Sequence, residues 1–214
     1  GTWRGLTRMG PAGFTPGSDP APITAIAVRD TLTVAAVPGR PPPCGTRTRP
    51  DSGPRFATTL RFSASGTLWA GGDGLWACDE NSWRLIATIP GRATALAEGP
   101  AANLWIGSGS GVLRLQGDSL RAVDGPDSAV VDLLSRDSSV LAGTWGDGAW
   151  SCSGQRCSRL PGIEPGGHVW DMARDGDGNA WITADSTLYH CGNTCEAFEH
   201  AELRAAGDLG PIAA

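Results

Sequence analysis

Short apolar runs separated by polar, glycine-rich turns recur along the chain. The stretch 103–115, NLWIGSGSGVLRL, shows the unit: an apolar run, a Gly-Ser turn and a second apolar run. It is too broken by glycine to hold a helix, and two short runs joined in this way predict paired strands. Its first run has relatives at regular intervals. LTVA begins at Leu32, LWAG at Leu68, LWIG at Leu104, VLAG at Val140 and AWIT at Ala180, so the steps are 36, 36, 36 and 40 residues. Self-similarity at a fixed period marks a repeat architecture.

Every copy has the same order. A small apolar strand comes first: ITAIAV (23–28), FATTLRF (56–62), ATALA (93–97), VVDLLS (130–135) and VWDMAR (169–174). A polar turn and the run that sets the period follow. After a Gly-rich turn comes a third strand, seen as GLWAC (74–78), GVLRL (111–115), GAWSC (148–152) and TLYHC (187–191). A more polar fourth strand, SWRLIA, SLRAV, CSRLP or CEAFE, closes these copies. Four strands per repeat select an all-β fold, a β-propeller of four-stranded blades, over a stacked β-solenoid with its shorter coils. The five copies predict five blades at about 23–55, 56–92, 93–129, 130–168 and 169–200, in a single domain spanning 1–214. TWRGL at 2–6 resembles the fourth-strand segment SWRLI at 82–86, and the C-terminal LGPIAA resembles a repeat opening. The segments 1–22 and 201–214 are therefore expected to help close the ring, with a sixth, incomplete blade as the alternative. Trp105 is expected to wedge between blades, with Gly71, Gly107 and Gly143 at points of close approach or sharp turn.

The segment VWDMARDGDGNAWITADSTLYHC (169–191) resembles the propeller repeat of two-component-regulator sensor domains, which runs roughly V-x-x-I-x-x-D-x-x-G-N-L-W-I-G-T-x-x-G-G-L. NLWIGSGSGVLRL is similar to the same pattern. The resemblance extends from about Ile23 to Phe198 and implies the fold. It implies no particular function, because such blades occur in many periplasmic and secreted proteins. In the sensors the propellers precede a membrane span and a kinase; this sequence shows neither, so a signalling role is not expected to carry over.

Composition narrows the picture. A chain of 214 residues can bury a sizeable core without metal or cofactor, so no cofactor is expected. A net charge of -5 argues against a general nucleic-acid or anionic-membrane binder. No apolar run approaches the ~20 residues of a membrane-spanning helix. The sequence opens on Gly1 rather than Met and shows no leader-like apolar stretch, which suits a mature chain whose signal peptide has been removed. The six cysteines are Cys44, Cys78, Cys152, Cys157, Cys191 and Cys195. CSGQRC and CGNTC place two pairs a hairpin apart, which fits disulfides better than a zinc site. In the repeat frame Cys152–Cys157 and Cys191–Cys195 each staple an outer hairpin. Blade two has Trp83 where Cys157 stands, so Cys78 is left to Cys44 by elimination. Three disulfides imply an oxidising compartment, the periplasm or the cell exterior.

Candidate chemistry gathers in the turns. Those between second and third strands place Asp73, Asp147 and Asp185 at one height, with Trp145 beside them and His168 and Trp170 entering from the preceding connections. An acidic, aromatic-edged mouth suits a cation, a sugar or a basic side chain, although Asp-Gly also makes good hairpin turns. Asp175, Asp177 and Asn179 in DGDGN have the opening of a calcium loop. Ala180 and Ser186 replace the glycine and glutamate that such a loop needs, so a turn is preferred and no metal is expected. The segment 38–54, PGRPPPCGTRTRPDSGP, replaces the outer half of blade one. Stiff, extended and Arg-bearing, it makes Arg40, Arg47, Arg49 and the adjacent Arg55 candidates for contact with a partner; a solvated loop held by Cys44 is the alternative. GFTPGSDPAP (13–22) reads as a second long connection. No nucleophile elbow, H-E-x-x-H or phosphate loop is present, and His190 reads as an outer-strand side chain. The expected function is a non-catalytic, exported binding or scaffold propeller. Its partner would be a protein in a larger envelope or membrane-bound complex, such as an electron-transfer or photosynthetic one. Small-molecule, cation or glycan binding at the acidic mouth is the alternative, and a propeller lyase or glycosidase stands behind both.

Overall fold

The computed structural model describes residues 7–10, 13–16, 22–46, 50 and 52–198. Arg47 and Arg49 lie outside these residues, as do 201–214 and most of 1–22, the two segments expected to help close the ring. The chain divides into two compact units, Gly1–Ala93 and Thr94–Ala214.

The first unit begins with an antiparallel hairpin, Thr7–Gly10 against Gly13–Pro16, where the sequence suggests a connection. Blade one is a two-stranded sheet, Ala25–Arg29 and Leu32–Ala36. Blade two has four strands, Thr59–Phe62, Leu68–Gly71, Gly74–Asp79 and Ser82–Thr88, paired in sequence order. Their shared core is built from small and medium residues, Ala27, Val34, Leu60, Leu68 and Ala70, with Trp83 and Cys44.

The second unit holds three four-stranded meanders, each paired in sequence order. Blade three comprises Ala93–Glu98, Leu104–Ser108, Gly111–Gln116 and Ser119–Ala122. Blade four comprises Val130–Ser135, Val140–Thr144, Ala149–Ser153 and Arg156–Arg159. Blade five comprises Val169–Arg174, Ala180–Ala184, Thr187–Cys191 and Cys195–Ala197. Burial falls from the second strand outward. Leu104–Ser108 and Val140–Thr144 are buried at every position, whereas Arg156–Arg159 buries only Cys157. A strand covered on both faces is a continuous apolar run, and an outer strand alternates. That gradient is why the period-setting runs stand out in the sequence and the fourth strands do not.

Blades meet through two repeated devices. Glycine removes a side chain where the next blade arrives: a Cβ on Gly107 would lie 2.7 Å from Cγ1 of Val130, and one on Gly143 would lie 2.5 Å from Cγ1 of Val169. Trp105 fills the adjoining space, 1% exposed among residues of blades three and four including Ala97, Val112, Leu133 and Val140. The second device is a threonine latch that the sequence reading missed. Thr24 Oγ1 donates to Ala57 O (2.6 Å), Thr58 Oγ1 to Ala93 O, and Thr94 Oγ1 to Val130 O (2.5 Å). The Thr24 and Thr94 latches each tie one blade's first strand to the next, and ITAI and ATAL carry them in the sequence; Thr58, in ATTL, makes the same kind of bond within the first unit.

The three disulfides are Cys44–Cys78, Cys152–Cys157 and Cys191–Cys195. Trp83 stands opposite Cys78 in the same register in which Cys157 stands opposite Cys152. Among the described residues no helix is long and apolar enough to cross a membrane.

Candidate functional site

The turn acids do not act alike. Asp185 ends the second strand of blade five with a left-handed backbone (φ 49), which Asp tolerates better than most residues. Its N–H donates to His168 O (2.9 Å), and its Oδ1 accepts from the His168 N–H (3.1 Å) and faces Nδ1 of the same histidine at 3.4 Å. Its carbonyl accepts from Trp170 Nε1 (3.1 Å). Trp145, in the corresponding turn of blade four, pairs with His168 through an isolated antiparallel bridge and donates its N–H to Ala129 O (2.8 Å). Three rings thus come together. Trp145 meets His168 edge-on at 4.8 Å and Trp170 edge-on at 5.0 Å, and His168 lies nearly parallel to Trp170 at 6.4 Å. Despite this pinning, Trp145 stays 50% exposed and Trp170 38%. Of the sequence candidates, Trp145, His168 and Asp185 converge, and Trp170 joins them.

Asp147 turns to its own blade. Its carboxylate pairs with Arg159, its carbonyl accepts from Arg159 Nη1 (2.9 Å) and Trp150 Nε1 (3.1 Å), and the Arg159 guanidinium lies 4.6 Å from the centre of the Trp150 ring. In the first unit Asp73 pairs with Arg92 at 2.9 Å. Asp73 also lines a cavity of about 310 Å³ with Arg55, Phe56, Trp76, Leu85 and Thr88. Phe56 and Leu85 are exposed there.

The described part of the Pro-rich segment is held against blade two. Pro42 and Cys44 are fully buried, and Pro42 O accepts from Trp83 Nε1 (2.9 Å). Arg55 folds back, donating from Nη1 to Gly39 O (3.3 Å), while its own carbonyl accepts the Gly39 N–H. Arg40 closes a tight turn with Val37 and is exposed. The contacts of Pro42 and Cys44 are both with the outer strands of blade two: Trp83 lies on its fourth strand and Cys78, the disulfide partner of Cys44, on its third.

DGDGN is a turn. Asp175 Oδ1 accepts from the N–H groups of Asp177 (3.0 Å) and Asn179 (2.9 Å), and Oδ2 faces His190 Nε2 at 3.2 Å. Partial desolvation works to raise the Asp175 pKa, but the hydrogen bonds from His190, Asn179 and Asp177 prevail and hold it below the usual carboxylate range. His190 also packs on Trp181 with ring centres 4.6 Å apart. Among the described residues no group of three His, Cys, Asp or Glu is placed to hold a metal ion.

Sequence reasoning passed over Asp132 and Asp171. Both sit at bulges in first strands, those of blades four and five. Asp132 Oδ1 accepts from the Leu133 N–H (2.8 Å) and Oδ2 from the Met172 N–H (3.0 Å), so it holds blade four to blade five without a threonine latch. Burial pushes its pKa up to about 6; the neighbouring Asp171 charge adds to this, and the two N–H bonds only partly oppose it. The signal was the repeated V-x-D of VVD and VWD, an acid inside an otherwise apolar strand.

No protein-family model matches the chain, and neither does any curated protein. Solved structures do. The extracellular domain of BT4673 from B. thetaiotaomicron, described as a hybrid two component system, is 16% identical with a TM-score of 0.74 over 96% of this chain and 32% of that one. Virginiamycin B lyase from Staphylococcus aureus is 13% identical with a TM-score of 0.66, over 84% of this chain and 70% of that one. YCF48, in a structure with D1 peptide bound, is 10% identical with a TM-score of 0.61, over 91% of this chain and 73% of that one. The chain spans about a third of the length of the BT4673 domain. At these identities the likeness concerns architecture, and it agrees with the repeat: the fold is a β-propeller of four-stranded blades, of the kind found in two-component sensor domains.

Proposed function

We propose that the chain is a non-catalytic, exported binding propeller that docks on another protein, as an accessory subunit of a larger envelope or membrane-bound complex. The observation that carries this reading is the Trp145–Trp170 corner. Large aromatic side chains are enriched where proteins meet, because they bury much area at little cost in side-chain freedom. Here two tryptophans are pinned by backbone and side-chain hydrogen bonds yet remain open to solvent. Three disulfides and an extracellular structural neighbour favour an oxidising location, the periplasm or the cell exterior. The peptide-bound YCF48 structure gives a precedent for peptide recognition on this fold. All six cysteines lie in disulfides, so none is available as a nucleophile, which agrees with a binding role. The test is a photo-crosslinking residue placed at position 145 in the exporting cell, with a control at the exposed Gln155. A discrete adduct with one protein at 145 and none at 155 is expected. Equal labelling at both positions, or none at 145, overturns the reading.

A further inference from the structure

The three turn acids differ in what they hold. Asp73 has Arg92, and Asp147 has Arg159, whose guanidinium also lies over Trp150. Asp185 also stands beside partly exposed tryptophans, but among the described residues the basic side chain beside it is His168 and not an arginine. No described arginine lies over Trp145 or Trp170: the cation–aromatic contacts are Arg29 on Phe62, Arg114 on Trp105 and Arg159 on Trp150. Asp185 Oδ1 is taken by the His168 N–H, while Oδ2 accepts no hydrogen bond among the described residues. The Asp185 side chain is 59% exposed.

We propose that the Trp145–Trp170–Asp185 corner receives one arginine side chain of a partner protein, completing from outside the arrangement that Arg159, Trp150 and Asp147 make within blade four. The proposal rests on the docking reading and names the chemistry of its contact. A guanidinium is planar, is weakly hydrated, stacks on indole and forks onto a carboxylate, so it uses both parts of the corner at once. An ammonium uses the charge and less of the face. A sugar needs several donors and acceptors around its hydroxyls, and among the described residues the polar side chains joined to this corner are Asp185 and His168. The net charge of -5 draws a basic segment toward the protein before contact.

The test uses the intact chain and four probes: N-acetyl-arginine methylamide, its lysine and citrulline counterparts, and methyl β-glucoside. The readout is the pair of indole N–H signals of Trp145 and Trp170 in nitrogen–proton correlation spectra. The arginine probe is expected to shift both signals saturably in the millimolar range appropriate to a single side chain. Citrulline, which has the same shape and no charge, is expected to leave them in place, and lysine to bind more weakly than arginine. Asp185→Asn, in which Asn suits the left-handed backbone, is expected to weaken arginine binding about three- to fivefold; Trp145→Leu is expected to weaken it about fivefold. The unchanged indole signals of the remaining tryptophans report that each variant is folded. Citrulline or lysine binding as tightly as arginine, shifts with the glucoside instead, no saturable shift with arginine, or an Asp185→Asn variant as tight as the parent each overturn the proposal. A position-145 crosslink without arginine binding leaves docking standing and removes this inference; arginine binding without a crosslink overturns docking and, with it, a partner protein as the source of the arginine.

Discussion

Asp132 makes the stability of this protein depend on pH in a direction opposite to that of most carboxylates. Burial, followed by the charge of Asp171, raises its pKa from 3.8 to about 6 in the folded chain. Between these values the folded state keeps a proton that the unfolded state has released, so unfolding releases protons and stability falls as pH rises. Its contribution is most favourable below about pH 4, declines through the window and is level above about pH 6. A difference of about two units, at roughly 1.4 kcal/mol each, makes the decline on the order of 3 kcal/mol. The assay is urea unfolding followed by tryptophan fluorescence at intervals from pH 4 to pH 7, with disulfides intact. Asp171→Asn removes the neighbouring charge and lets Asp132 ionise closer to its ordinary range. This variant is expected to be more stable than the parent at pH 7, by about 1 kcal/mol, with a shallower slope. Asp132→Asn cannot accept from both Leu133 and Met172 N–H groups, since its amide nitrogen must face one of them. It is expected to lose about 1–3 kcal/mol at pH 4, where the parent is protonated, and to lack this decline altogether. An Asp171→Asn profile parallel to that of the parent across the window would refute the reasoning, because it would mean that the Asp171 charge does not act on Asp132.

Other expectations follow from the contacts between blades and from the loops. Gly107→Ala places a methyl 2.7 Å from Val130 Cγ1 and is expected to destabilise by about 1–3 kcal/mol in urea unfolding, whereas Gly117→Ala, with nothing within 4 Å, should show only the cost of its positive φ. Thr94→Val removes the latch to Val130 O at nearly constant volume and is expected to cost about 1 kcal/mol by the same measurement. Replacing Cys44 and Cys78 together by Ser opens a separation of 34 residues against 4 for Cys191–Cys195, so on the chain-entropy model it costs about 4 kcal/mol against about 2, readable as the difference in thermal midpoint. Ala101 holds φ 58 without being glycine, so Ala101→Gly is expected to be neutral or to raise stability by up to about 1 kcal/mol.

Much of the fold is legible because its constraints repeat. A second strand buried on both faces is apolar through most of its length, closing only on the small, hydrogen-bonded Ser108 or Thr144, so LWIGS and VLAGT stand out at a constant spacing. Gly107 and Gly143 are legible for the same reason: each meets the valine that begins the next blade. The disulfides could be paired because Trp83 occupies the place of a cysteine in one copy. Other features hide. The hairpin Thr7–Gly10 with Gly13–Pro16 lies outside the repeat and has no relative to be aligned with. The threonine latches were invisible because Thr is also an ordinary strand residue. The turn acids looked equivalent in sequence, since spacing places a backbone and does not say which long side chain reaches it. Arg92 and Arg159 are the residues that separate Asp73 and Asp147 from Asp185, and both lie outside the turns they complete. In the Pro-rich segment, polyproline stiffness was visible, but the buried positions of Pro42 and Cys44 were not.

A repeat protein uses its repeated positions to satisfy one copy with the next, so ligand recognition falls to positions where that satisfaction is incomplete. Here the accounting can be done residue by residue. Gly107 and Gly143 are filled by Val130 and Val169, Thr24, Thr58 and Thr94 spend their hydroxyls on carbonyls, and Asp132 spends both oxygens on N–H groups. Asp175 is absorbed by its own turn and by His190. Asp73 and Asp147 have arginines. The remainder is a rigid corner in which Trp145 and Trp170 face solvent beside Asp185. Its rigidity matters as much as its exposure. A mobile tryptophan would have to be ordered on binding, whereas Trp170 is already held by its bond to Asp185 O and the Trp145 ring by its edge-on contacts with His168 and Trp170. Contacts made by preordered groups lose less entropy on association, so a small surface of this kind can contribute disproportionately to affinity.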